Sequence, residues 1–242
     1  MPISDMPISG RLRAPALAAL LAAAGLLALA ACDPAIMGQG AGATATRARL
    51  DVAGRAVTIA SPAGFCIDPG SVTSSAEGAF VLMSDCRLMG KGDRKGTPVG
   101  AAMTASVSSG GFAGEGDTAA GSLEDLAEFA ETREGRTVLG RSGQPDRVKI
   151  LNTQLSGGVL YVLVEDRGAQ PIAGIERQFW RAFLEVNGRL VALSVLGFEG
   201  AGLGAQDALN QLAAFARATQ AANAGPARSP FAAPGAARPQ PS

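Results

Sequence analysis

The chain of 242 residues contains no histidine, only three cysteines, and few aromatic residues, which make up 5% of the sequence. Without histidine it lacks the Ser-His-Asp and Cys-His catalytic groups, histidine metal ligands, and the side chain that most often acts as a base at neutral pH. Three cysteines are too few for a four-thiolate zinc site within one chain. The composition therefore excludes several common classes of enzyme and metal site.

The chain also lacks a surplus of either charge, since 21 lysines and arginines balance 21 aspartates and glutamates. A nucleic-acid-binding domain needs a basic surplus to contact phosphates, so we expect no nucleic-acid partner. Hydrophobic residues make up 47% of the sequence, which is ample for a core. The length suits one domain with terminal extensions, or at most two small domains.

The N-terminal segment is informative about the compartment. Residues 11–32 read RLRAPALAALLAAAGLLALAAC, in which two arginines precede an apolar run and small residues precede Cys32. This order is typical of a secretory signal peptide. We therefore predict that residues 1–31 are a leader and not part of the fold.

Leu29-Ala30-Ala31-Cys32, at the end of this run, resembles the lipobox of bacterial lipoproteins. The resemblance implies cleavage before Cys32, a diacylglycerol on its sulfur, and usually an acyl chain such as palmitate on its new amino group. Acyl chains acting together anchor a protein stably, since each buried methylene contributes about 0.8 kcal/mol. We expect Cys32 to anchor the chain at the periplasmic face of the bacterial inner or outer membrane.

Two other fates of the leader remain open. The apolar run of residues 14–31 could stay as an uncleaved transmembrane helix, or an ordinary signal peptidase could release the mature chain. All three place the remainder outside the cytoplasm, where cysteines oxidise. We therefore predict a disulfide between the remaining two cysteines, Cys66 and Cys86, across a loop of about twenty residues. A redox-active pair would usually have CxxC spacing, which is absent.

Composition divides the mature chain into three parts. Residues 32–46 contain the lipidated cysteine and a Gly/Ala-rich stretch that indicates a flexible tether. Residues 223–242 are Pro/Ala-rich with few apolar side chains, so we predict a disordered tail. A single domain is left at residues 47–222.

Within this domain, alternating apolar residues and turn signals predict strands, and helical spacing predicts two helices. Asn187-Gly188 is the strongest hairpin signal. Ser122 and Asp125 resemble a capping box at the start of one helix, which Gly135 is predicted to end. The predicted strands are 49–52, 56–60, 65–67, 80–83, 99–108, 147–154, 159–166, 176–186 and 189–197, and the predicted helices are 122–134 and 205–221.

This order of elements predicts an α+β fold in which a largely antiparallel β-sheet is flanked by two main helices. The order, together with the Pro-x-Gly-Phe turn at residues 62–65, resembles the Mog1/PsbP-like family. In that family antiparallel strands are flanked by helices. Its members are mostly binding or accessory proteins and several are lipoproteins, so the resemblance implies a role of that kind.

The strand predicted at 176–186 has two different faces. One face is apolar and typical of a core: Trp180, Ala182, Leu184 and Val186. The other face carries two phenylalanines among charged residues: Phe179, Phe183, Arg177, Arg181 and Glu185. We expect a helix to cover this second face, the alternative being a patch for a partner.

No other set of residues indicates a catalytic, cofactor or metal site. The Gly-rich residues 108–121 precede a helix but lack the Gly-Lys-Ser/Thr of a phosphate loop. The pairs Glu124/Asp125 and Glu165/Asp166 should diverge, because neighbouring side chains point in different directions on a helix or strand. The first pair is also expected in a helix's first turn. A local basic cluster, which could contact anionic lipid, lies in a charged turn: Arg87, Lys91, Arg94 and Lys95.

These observations favour a non-enzymatic accessory protein that works through contacts with an envelope protein. The alternative is a binding module that holds a small apolar or envelope-derived ligand between sheet and helix. A deep apolar pocket with converging polar groups would favour the ligand-binding module. An exposed apolar patch without such a pocket would favour the interaction protein.

Overall fold

The computed structural model describes residues 45–90, 99–111 and 119–225. The predicted signal peptide, Cys32, nearly all of the tether and most of the C-terminal tail lie outside these ranges, as do Lys91, Arg94 and Lys95. The described residues form ten strands and three helices. In chain order these are β1 (Arg47–Val52), β2 (Arg55–Ala60), β3 (Phe65–Ile67), β4 (Thr73–Ser74), β5 (Gly78–Asp85), β6 (Ala101–Ser108), α1 (Ala119–Glu131), α2 (Arg133–Leu139), β7 (Val148–Ser156), β8 (Val159–Asp166), β9 (Gln178–Val186), β10 (Arg189–Gly197) and α3 (Ala205–Asn223).

Eight strands form one antiparallel sheet in the order β3-β5-β6-β10-β9-β8-β7, with β4 paired to β5. β1 and β2 form a separate hairpin. The β9–β10 turn is made by Asn187 and Gly188, whose φ angles of 51° and 70° suit a tight two-residue hairpin turn. This arrangement confirms the predicted α+β class and the largely antiparallel sheet.

One face of the sheet packs against α3 and the β1–β2 hairpin. Phe215 of α3 is fully buried there, and the indole N–H of Trp180 donates to the Ala205 carbonyl at 2.8 Å. The Asn223 side chain accepts a hydrogen bond from the Thr58 N–H at 2.8 Å and donates one to the Thr58 carbonyl at 2.7 Å. α3 ends at Asn223, two residues beyond its predicted end at 221, and these hydrogen bonds hold that last residue against β2.

The opposite face of β7, β8 and β9 packs against α1 and α2. Phe179 and Phe183 are buried there beside Leu123 of α1 and Leu139 of α2. The expected helical cover over the two phenylalanines is therefore confirmed. The cover consists of two helices, however, where the sequence predicted one.

For the helix predicted at residues 122–134, both limits were wrong. α1 begins at Ala119, so Ser122 lies inside the helix, and Glu124 and Asp125 lie beyond its first turn. Gly135 lies within α2, which Thr132 caps by accepting a hydrogen bond from the Gly135 N–H at 2.9 Å. A Cβ on Gly135 would collide with the Phe129 carbonyl, so this glycine permits the two helices to approach closely.

Cys66 and Cys86 form the predicted disulfide, with their Cα atoms 4.9 Å apart. It joins the short strand β3 to the residue that follows β5. The neighbouring Asp85 is buried and accepts hydrogen bonds from Arg87 Nε at 2.9 Å and from the Val99 N–H at 2.8 Å. Hydrogen bonding from the Arg87 guanidinium lowers the pKa of the Asp85 carboxyl well below its usual range.

The stability of the domain is expected to fall in acid. Because the pKa of Asp85 is lowered in the folded state, its stabilising contribution is complete above the unfolded-state pKa of about 3.9 and is lost as the pH falls below that value. Urea unfolding at pH 7, 5 and 3 measures this loss. Asp85→Asn should flatten the pH dependence below pH 5, and an unchanged slope in that variant would contradict the assignment.

Candidate functional site

β7 is an edge strand of the large sheet and is mostly exposed. In the described part of the chain it pairs with β8 alone. Its residues from Leu151 onward are exposed, and the side chains of Leu151 and Leu155 are 43% and 45% exposed. The pairing register shifts between Ile150 and Asn152, so Leu151 occupies a β-bulge. The strand thus presents main-chain hydrogen-bonding groups beside two accessible apolar side chains.

A groove, here called the edge groove, lies between β7 and α1. At one end its lining includes Glu124 and Ala127 of α1 with Thr153 and Leu155 of β7. At the other end an open cleft is lined by Glu131 of α1 and, on β7, by residues 148–151. α1 therefore runs beside the exposed strand in the opposite chain direction.

The α1 side of the edge groove is acidic. The helix contains four acidic residues and no basic residue among Ala119–Glu131. All four are exposed: Glu124, Asp125, Glu128 and Glu131. Arg136 and Lys149 lie near the Glu131 end of the groove. Beside its two exposed leucines, the strand edge therefore has negative charge at the Glu124 end of the groove and charges of both signs at the Glu131 end.

The cavities differ in whether they could enclose a ligand. A partly open cavity between α3 and the sheet, beside Trp180 and Ala208, has a volume of about 80 Å³. Ligand pockets usually measure about 300–1,000 Å³, so this cavity is too small for one. A larger cleft of about 560 Å³ is open to solvent and includes Leu123, Leu155 and Gln220. The larger spaces therefore lie around β7 and not inside the core.

A second feature is a polar row that crosses the other half of the sheet. Arg181 of β9 is the register partner of Ser194 of β10, which in turn is the partner of Thr104 of β6. Ser194 is buried. Within the described ranges, the hydroxyls of Ser194 and Thr104 make no hydrogen bond. We call these three residues the polar row.

Among the described residues, Arg181 is a cation without a polar partner. Its buried Nε–H donates to no acceptor, and its guanidinium forms no ion pair with a carboxylate of these residues. The Phe179 ring lies 5.6 Å from it, and Arg141 stacks nearer that ring at 4.3 Å. Burial, together with the nearby charge of Arg141, lowers the pKa of Arg181 to about 10.

The sheet beyond the polar row is less well covered than the sheet under α1 and α2. On this face of β5 and β6, Phe80 is 37% exposed, Ser106 is exposed and Leu82 is half-buried. Leu196 and Ala192 of β10, on either side of Ser194, are also half-buried. We call this surface the open face, since α1 and α2 pack on β7, β8 and β9.

The remaining candidates from the sequence have structural partners. The Asp166 carboxylate is buried and is fully engaged by four donors: the N–H groups of Arg141, Ser142 and Gly168 and the Ser142 hydroxyl. Burial raises the pKa of Asp166, but these hydrogen bonds outweigh it and the net direction is down. Glu165 forms an ion pair with Arg167 at 2.9 Å. The two adjacent carboxylates are thus committed to different contacts.

Parts of two other candidates lie outside the described residues. Arg87 of the basic cluster binds Asp85. Of the Gly-rich residues 108–121, the segment 112–118 is not described, and residues 119–121 belong to α1.

Sequence reasoning missed both the edge groove and the isolation of Arg181. One signal for the latter was available, because an arginine lay between two phenylalanines on a face expected to be covered.

The described residues contain no cluster of three potential metal-ligating side chains. Within the same ranges, no helix has the length and apolar character needed to cross a membrane. Comparison with protein-family models, with curated proteins and with solved structures found no match.

Proposed function

We propose that this chain is a lipoprotein of the bacterial cell envelope, anchored through Cys32, and that it acts as a non-enzymatic accessory protein by binding a partner along the edge groove. The observation that carries this proposal is the exposed strand β7, with its two accessible leucines. An extended segment can add to such an edge by main-chain hydrogen bonding while alternate side chains occupy the neighbouring groove. The resemblance of residues 29–32 to a lipobox supports the proposed anchor, which would hold the domain near other envelope proteins.

The charge of the groove indicates the chemistry of the partner. Glu124 and Glu131 of α1 line the two ends of the edge groove, beside the edge at which a strand would add. A partner segment with apolar side chains for Leu151 and Leu155, and with lysine or arginine facing α1, would be complementary. We therefore propose an extended basic segment of an envelope protein as the occupant.

A second copy of this chain fits the same edge poorly. Antiparallel pairing of two β7 strands would place the two-fold axis perpendicular to the sheet, so both α1 helices would lie on the same face of the joined sheet, one on each side of the seam. Each α1 carries four acidic residues and no basic residue. Their approach would be repulsive, and this favours a different protein as the partner.

The proposal is tested by photocrosslinking in cells from position 152 of the full-length chain. We expect a crosslink to an envelope protein that is lost roughly ten-fold or more in the double variant Leu151→Lys, Leu155→Lys, because two apolar contacts are removed and the added charge repels a basic segment. The Cys32→Ala variant should also reduce the crosslink, since the chain would lose its membrane anchor.

Ile172→Lys is the matched control. Ile172 is 62% exposed in the β8–β9 connection, so the same change of residue type is made away from the edge groove. This variant should crosslink as the unaltered chain does. A partner whose capture is insensitive to the double leucine variant would overturn the proposed surface, and the absence of any crosslinked protein would overturn the accessory role.

A further inference from the structure

The isolation of Arg181 distinguishes it from other arginines that contact the fold. Arg87 is paired with the buried carboxylate of Asp85. Arg189 donates to the Val52 carbonyl at 3.0 Å and to the Ala53 carbonyl at 2.9 Å. Arg181 has a buried Nε without a hydrogen-bond partner. The interaction found for its guanidinium in the described ranges is a cation–π contact with the Phe179 ring.

The surrounding acidic groups do not compensate this charge. The Asp166 carboxylate already accepts four hydrogen bonds, from residues 141, 142 and 168. Glu185 lies on the same face of β9 but four residues further on, which is about 13 Å along an extended strand. Arg181 is half-buried, its Nε is buried without a hydrogen-bond partner, and the described residues supply no carboxylate to its guanidinium. A guanidinium in this state can pair with an anion from outside the chain.

Two hydroxyl groups continue from Arg181 across the sheet. Residues that are register partners on adjacent antiparallel strands have Cβ atoms about 4.5–5.5 Å apart. The guanidinium and the hydroxyls of Ser194 and Thr104 therefore form a line of hydrogen-bond donors over β9, β10 and β6. An anion bound along this line would accept hydrogen bonds from the charged guanidinium of Arg181 and from the two neutral hydroxyls.

The surface on either side of the polar row is largely apolar. Leu196 and Ala102 are register partners on one side, and on the other side Ala192 is followed by Ser106 and Phe80 on successive strands. These residues are half-buried or exposed. A ligand with an anionic head and an apolar chain would match the row and the open face together.

We propose that the polar row binds the carboxylate of a fatty-acid-type amphiphile, whose acyl chain lies on the open face across β10, β6 and β5. A carboxylate is favoured over a phosphate monoester because the row supplies one positive charge and suits a monoanion with two oxygens. Arg141 is turned to the Glu176 carbonyl, to which it donates at 2.6 Å. This site is separate from the edge groove and does not depend on the accessory role.

The probe is octanoate, titrated into the full-length chain in a non-ionic detergent by isothermal calorimetry. We expect saturable binding of one octanoate, with octanol bound roughly ten-fold or more weakly, because it lacks the charge that pairs with the guanidinium. Octyl phosphate should also bind less tightly than octanoate. Equal affinity for octanol, or the absence of saturable octanoate binding, would overturn the proposal.

Arg181→Gln tests the residue directly. It should weaken octanoate binding by about ten-fold or more while leaving the weak binding of octanol nearly unchanged. Ser194→Ala should have a smaller effect in the same direction. Arg49→Gln is the matched control, since Arg49 is exposed on β1, outside the polar row, and it should bind octanoate like the unaltered chain.

A stability measurement separates ligand binding from a structural role. Arg181→Met removes a half-buried charge that has no ion pair among the described residues, so its melting temperature without ligand should be unchanged or a few degrees higher. A strongly lowered melting temperature in Arg181→Met, with octanoate affinity unaltered in Arg181→Gln, would assign Arg181 to the fold alone. Loss of octanoate binding without loss of stability is the expected result.

Discussion

Replacement of Asp166 by alanine is expected to lower the free energy of unfolding by about 3–5 kcal/mol. The Asp166 side chain is fully buried at the end of β8, and it accepts the N–H groups of Arg141 and Ser142 at 2.7 Å and that of Gly168 at 2.9 Å. Alanine would leave these buried donors without an acceptor. Urea unfolding at pH 7, followed by circular dichroism, measures the loss.

Asp146→Ala is the control for this prediction. The Asp146 side chain is 72% exposed and pairs with Arg133 on the surface, so its removal should cost less than about 1 kcal/mol. Equal effects of the two substitutions would contradict the structural role of Asp166. In that case the carboxylate would not be committed to the loop, and its place among candidate acid–base residues would have to be reconsidered.

The connection from Asp166 to the polar row makes this result relevant to ligand binding. The carboxylate fixes the backbone at residues 141 and 142, and Arg141 stacks on the Phe179 ring that also faces Arg181. An exposed catalytic acid would leave the fold intact when replaced. Replacement of a buried carboxylate that fixes a loop also disrupts that part of the fold.

The strands around the Asn187-Gly188 turn were predictable because their signals are local. Both φ angles at that turn are positive, as its residue types favour, and the apolar pattern of the flanking segments continues without interruption. β10 has the predicted bounds, and the same is true of β8. The disulfide was predictable for another reason, since the predicted compartment and the predicted lipidation of Cys32 left a single pairing.

The break between α1 and α2 could not be predicted, because it depends on a contact between the helices. The apolar spacing suits one longer helix, and glycine is a common end signal. In the fold, Thr132 caps a new helix and Gly135 lies against the Phe129 carbonyl. Local propensity was overridden by tertiary packing at this position.

The two candidate surfaces were missed because they depend on strand order. Sequence periodicity predicts which residues share a face, but it does not tell which strand has no second neighbour. In the sheet, β7 lies beside β8 at the edge, a position that local sequence signals do not indicate. The polar row joins residues of three strands, Arg181, Ser194 and Thr104, which come together only in the assembled register.

Removal of the disulfide in the double variant Cys66→Ala, Cys86→Ala is expected to lower the free energy of unfolding by about 3 kcal/mol, as the loop-closure model gives for a loop of this length. The bond spans 20 residues and holds β3, a strand of three residues at the edge of the sheet. β3 pairs with β5 over those residues alone. Without the bond, its separation from the sheet would leave a longer free segment and a larger gain in chain entropy.

The loss should begin locally. Hydrogen exchange is expected to increase first at β3 and in the connection to β5, while β8 and β9, buried on both faces over most of their length, stay protected. Cys32→Ala is the control, because it removes a cysteine and leaves the disulfide intact, so urea unfolding should be unchanged. Two free thiols at Cys66 and Cys86 in protein isolated from its native cells without reductant would contradict the bond, since a pair whose Cα atoms lie 4.9 Å apart would then have stayed open.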